Sequence, residues 1–88
     1  MQLSIVAHLV QNQPLERLQA AETALMAGQM PPFDVVGADG AEQLTHVLVA
    51  QDWLLHMRRH GTGLAAARRA FAQRVRRWVG PSPNQPQL

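Results

Sequence analysis

Asp52, His56 and His60 stand four residues apart, so they fall on one side of any helix that holds them. Two histidines at i and i+4 can share a divalent ion, and Asp52 offers a carboxylate one turn earlier. The pattern lacks the glutamate of a zinc-protease helix. Neither His8 nor His46 is placed by spacing to join it, and His46 falls in a different helical sector from His56. Solvated polar residues near a helix end account for the same letters. The expectation is therefore no metal and no cofactor, with Asp52, His56 and His60 as the weak candidate ligands.

The arginines form the second constellation. Residues 1–52 hold six acids (Glu16, Glu22, Asp34, Asp39, Glu42, Asp52) and one base, Arg17, for a net charge of −5. Residues 53–88 hold seven arginines and no acid, for a net charge of +7, and the chain contains no lysine. Such a split either neutralises itself between the halves or leaves a basic surface for an acidic partner. Guanidinium groups grip carboxylates and phosphates in a bidentate fork that lysine cannot make. Arg58, Arg59, Arg69, Arg74, Arg76 and Arg77 are accordingly the candidate partner- or phosphate-binding residues. The segments flanking Gly61-Thr62-Gly63 have a helix-turn-helix outline, but the second carries only Gln73 to read base edges, so nucleic-acid contact would be directed at phosphates.

Other chemistry is poorly served. The chain has no cysteine, which removes disulfides and thiolate metal sites. It has no Gly-rich phosphate loop, no nucleophile elbow and no convincing acid/base pair among its six carboxylates, so intrinsic catalysis is not expected. The stretch from Leu3 to Val10 is interrupted by Ser4 and His8 and does not read as a signal peptide. No run approaches the ~20 apolar residues that cross a bilayer. These features predict a cytoplasmic protein without an integral membrane segment.

The elements that must position these residues follow from apolar spacing. Leu3, Ile5, Val6, Leu9 and Val10 fit a helix over 2–11, although the β-branched content leaves a short strand as the alternative. Pro14 opens a second helix, with Leu15, Leu18, Ala21 and Leu25 at steps of three and four and Gly28 beyond its end. Residues 29–40 form a connector broken by Pro31-Pro32, which Phe33, Val35 and Val36 should pin to the core. Asp39 and Glu42 make a capping box for a long third helix that ends at Gly61. A fourth helix covers 63–79 and stops at Gly80-Pro81. One domain over 1–79 is expected, with a disordered Pro-rich tail over 80–88.

On helix three, Leu44, Val47, Leu48, Ala50, Trp53, Leu54, Leu55 and Met57 cover well over half of the circumference, and Gln51 and Arg58 fall inside that sector. A surface helix buries a narrower stripe, so either a second chain covers this one or the other helices enclose it. On helix four, Leu64, Ala67, Phe71, Val75 and Trp78 form the apolar stripe opposite Arg69, Gln73, Arg76 and Arg77, with Arg74 at the margin. The sequence thus predicts an all-α fold: a bundle of three to four helices with helices three and four as an antiparallel hairpin, working as a homo-oligomer. An α+β fold with an N-terminal strand is the alternative. The expected function is a self-associating interaction or accessory module anchored by Leu48, Gln51, Trp53, Leu55 and Trp78. Nucleic-acid binding through the last helix is the alternative function, and an acidic protein is a further partner class.

Overall fold

The computed structural model describes residues 1–79 and is all-α, with four helices in the order α1 (Leu3–Asn12), α2 (Leu15–Met26), α3 (Gly40–His60) and α4 (Leu64–Val79). No strand occurs among the described residues, which removes the α+β alternative. The tail expected over 80–88 lies outside them.

The first helix forms although Ile5, Val6 and Val10 are modest helix formers, because burial outweighs propensity. Val6, Leu9 and Val10 recur at three- and four-residue steps and are all buried. No side chain caps this helix at Gln2. The backbone N–H of Gln2 is instead satisfied from another helix, by His46. Pro14 sits at the N-cap of α2, and its carbonyl accepts from the N–H groups of Arg17 and Leu18. Gly28 closes α2 at φ +71°, its N–H donating to the Leu25 carbonyl while the Gln29 N–H donates to that of Ala24. These two bonds make a Schellman motif. Gly61 ends α3 in the same left-handed region, at φ +61°.

The connector between α2 and α3 is fixed at several points. Val35 is buried and Phe33 is half-buried, with the Arg17 guanidinium 5.5 Å from the Phe33 ring centroid. Arg17 also donates to the Pro32 carbonyl at 3.1 Å. Val36 does not pin the loop by its side chain, which is 61 % exposed. Its carbonyl does so, bonded to His46 at 2.7 Å.

The long third helix is the centre of the domain. The packing is carried by three helix pairs, α1–α3, α2–α3 and α3–α4. Val47, Ala50 and Trp53 are fully buried on α3, against Val6 and Leu9 of α1, Leu18 and Ala21 of α2, and Ala67 and Phe71 of α4. Most of the wide apolar circumference of α3 is thus covered by its own chain. The exceptions are Leu48 and Leu55, 43 % and 44 % exposed, seven residues apart on one line of the helix. The hairpin of α3 and α4 is antiparallel: Trp53 meets Phe71 edge-on at 5.8 Å, and Asp52 meets Arg74.

Candidate functional site

The outer side of the α3–α4 hairpin brings together Leu48, Asp52, Arg74 and Trp78 among the residues that the sequence singles out. Arg74 projects from the margin of α4 and forks onto Asp52 of α3, with Nη1 donating to Oδ1 at 3.0 Å and Nη2 donating to Oδ2. The bonds to Asp52 raise the Arg74 pKa above its ordinary value. Both partners stay more than a third exposed, so the pair contributes ~1 kcal/mol or less. Arg74 is therefore not a free phosphate-binding group. Arg58, Arg59, Arg69, Arg76 and Arg77 are exposed, as is Arg68, and none of the six is in an ion pair among the described residues.

Around the Asp52–Arg74 pair lies apolar surface. A groove of about 360 Å³ is lined by Thr45, Leu48 and Val49 of α3 and by Phe71 and Trp78 of α4, with Asp52, Arg74 and Met1 at its edges. A second groove of about 360 Å³ runs beside it between α1 and α4, lined by Leu3, Ala72, Val75 and Arg76 and sharing Met1 and Phe71 with the first. Trp78 stands over this region and is 75 % exposed. The apolar stripe of α4 is thus buried at Ala67 and Phe71 but emerges at its end.

Two of the expected interface anchors belong elsewhere. Trp53 is 0 % exposed and is the largest side chain of the core, so it cannot touch another chain. Its indole Nε1 is buried without a hydrogen-bond partner. Gln51 is satisfied within its own chain, its amide donating to Glu22 Oε1 at 2.8 Å. Leu48, Leu55 and Trp78 remain available. Arg58, which the helical wheel places in the apolar sector, is exposed near the end of α3.

The Asp52, His56 and His60 pattern does not close into a metal site. Both histidines lie along one face with ring centroids 4.4 Å apart, but the Asp52 carboxylate is turned to Arg74. No group of three His, Cys, Asp or Glu side chains stands close enough to hold an ion among the described residues. The hydroxyls of Thr23 and Thr45 donate to the helix carbonyls of Gln19 and Ala41.

Spacing gives no hint of His46, which is the one buried polar or charged residue of the described chain, at 0 % exposure. Its Nδ1 lies 2.7 Å from the Val36 carbonyl, an acceptor, so Nδ1 carries the proton. Its Nε2 is then free to accept the Gln2 N–H at 3.0 Å. One turn earlier, Gln43 donates to the Val35 carbonyl at 3.0 Å. Asp39 accepts the Glu42 N–H at 2.8 Å, and Glu42 accepts the Ala38 N–H at 2.8 Å and lies 3.5 Å from the Met1 ammonium. The Ala38 N–H, helped by that ammonium, lowers the Glu42 pKa from its ordinary value against the opposing effect of desolvation. The start of α3 thus saturates backbone groups of both α1 and the connector. The sequence signal for this is a histidine beside Val47 on the apolar side of α3, where a polar ring must find partners.

No described helix is long and apolar enough to cross a membrane. No curated protein and no solved structure matches the chain. A family profile matches it over residues 1–79, and the chain belongs to that family, DUF6952, a family of unknown function.

Proposed function

We propose that the chain is a small helical interaction module that pairs with a second copy of itself through the outer face of the α3–α4 hairpin and performs no catalysis of its own. The observation that carries this reading is the exposure of Trp78, beside the groove that Leu48 also lines. Covering one such ring removes on the order of 150 Å² of apolar surface from water, about 4 kcal/mol before the cost of association. Tryptophan is also among the residues that most often dominate binding energy at interfaces.

A second copy fits this surface because the surface is self-complementary. It carries one carboxylate and one guanidinium, Asp52 and Arg74, within apolar surroundings. Two such faces related by a two-fold axis can set unlike charges opposite one another. The arginines on the far side of α4 would repel a second copy of themselves.

Light scattering at micromolar concentration tests the reading. The expected mass is twice the 9.7 kDa of one chain. Trp78→Ala and Leu48→Asp should each return the species to a monomer without loss of helicity. A monodisperse monomer of the unaltered chain throughout this range overturns it.

A further inference from the structure

We infer that the outer ridge of α4 is a contact surface for the phosphate backbone of duplex nucleic acid. Arg69, Gln73 and Arg76 are all exposed and recur at i, i+4 and i+7, so they form one line along the helix. At ~100° per residue the line points directly away from the buried Ala67 and Phe71. Arg69 and Arg76 stand ~10 Å apart along the axis at 1.5 Å per residue, close to the ~12 Å width of a major groove. Arg77 flanks the line, and Arg58 and Arg59 add charge in the last turn of α3.

The fold leaves these charges uncompensated. Four of the six acids of the first half are engaged elsewhere: Asp52 with Arg74, Glu22 with Gln51, Glu42 with the Ala38 N–H, and Asp39 as the cap of α3. Arg74 is the single arginine of the second half that meets an acid among the described residues. Apart from that one pair, no ion pair among the described residues neutralises the seven arginines of the second half against the six acids of the first.

The ridge also selects among anionic partners. It has no large apolar side chain, whereas a protein interface needs a desolvated apolar centre. A membrane-surface helix must free its apolar face, and that face of α4 is packed on α3 through Phe71. Single strands are held by aromatic platforms, but Trp78 lies on the opposite side of α4, about 180° around the helix from Arg69. What remains is a convex polar line of forked donors, suited to phosphates on a duplex.

The test is fluorescence anisotropy of the intact chain with a labelled duplex DNA of arbitrary sequence. Neutralising about four phosphates predicts a ~150-fold weakening when salt is raised fourfold. Arg69→Glu/Arg76→Glu should weaken binding at least tenfold (an order-of-magnitude expectation) and flatten the salt slope. Arg69→Gln/Arg76→Gln gives a milder second variant in which the helix is not burdened by reversed charge. Failure of the proposed dimer leaves this measurement unaffected, because the ridge and Trp78 lie on different sides of α4. No anisotropy change at low salt overturns the inference. So do equal affinities for the unaltered chain and both variants, and so does tighter binding to polyglutamate than to the duplex.

Discussion

The ring of His46 accepts the backbone N–H of Gln2 at 3.0 Å, joining the start of α1 to the second turn of α3 across 44 positions of the chain. The same ring donates to the Val36 carbonyl. One side chain therefore fixes two distant segments, and only its neutral form can do so, since a second ring proton would face the Gln2 N–H.

His46→Leu removes both bonds and leaves the Gln2 N–H and the Val36 carbonyl, both part-buried, without their ring partner. At ~0.5–1.5 kcal/mol for each lost hydrogen bond, the expected loss is about 1–3 kcal/mol, a large share of the stability of so short a domain. His46→Gln can supply an acceptor and a donor and should recover part of it. Urea denaturation of the three proteins checks this. An unchanged midpoint for His46→Leu would show that the ring does not hold these segments.

Glu42 makes stability depend on acid. Its folded pKa is lowered, chiefly by the Ala38 N–H. The contribution is therefore present above the ordinary carboxylate range, ~4, and is lost as pH falls through the lowered folded value. Glu42→Gln should be less stable than the unaltered chain near neutrality, and the gap should close in acid. Thermal melts of both proteins from pH 7 downward measure it, and a gap that stays constant contradicts the assignment.

Two glycines at the entry to α3 should respond in opposite directions to alanine. A Cβ at Gly37 would lie 2.7 Å from Gln43 Cγ and 2.8 Å from the Gln43 backbone nitrogen. Backbone must then shift, and Gly37→Ala is expected to destabilise by ~1–3 kcal/mol. A Cβ at Gly40 meets nothing within 4 Å. Gly40→Ala, in the first turn of α3, should stabilise by ~0.5–1 kcal/mol. Calorimetric melting temperatures should move down for the first and up for the second.

The two tryptophans should separate cleanly. Trp53→Ala empties the middle of the core and should destabilise by ~3–5 kcal/mol, enough to unfold much of the population at room temperature. Trp78→Ala should leave the unfolding free energy of the monomer within ~0.5 kcal/mol. In acrylamide quenching, the protein retaining Trp53 alone should be shielded and the unaltered protein should contain a second, accessible fluorophore. Equal accessibility of both indoles would contradict their placement.

The fold was largely legible because apolar spacing and punctuation agree along this chain. Leu18, Ala21 and Leu25 mark one face of α2, Gly28 and Gly61 end two helices, and Asp39 with Glu42 opens the third. Glu42 reaches back one residue past the cap, to the N–H of Ala38. The wheel of α3 could not say who covers its apolar sector. Its width is explained mainly by three neighbouring helices, and Trp53 faces inward for that reason. Neither Gln51–Glu22 nor His46–Gln2 could be anticipated, because each joins segments whose approach depends on the packed bundle. The arginines were legible as a group, but the singling out of Arg74 by Asp52 needed the crossing of α3 and α4.

The three main helix packings all include α3. Amide hydrogen exchange should reveal the consequence as a hierarchy of openings. Detachment of α4 uncovers Ala67, Phe71 and the surface of α3 beneath them, and leaves the seats of α1 and α2 intact. No comparable partial opening is available to α3 itself. Its central amides, around Val47 to Trp53, can exchange only when every other helix has lost its support, so they should report the global unfolding free energy of the domain.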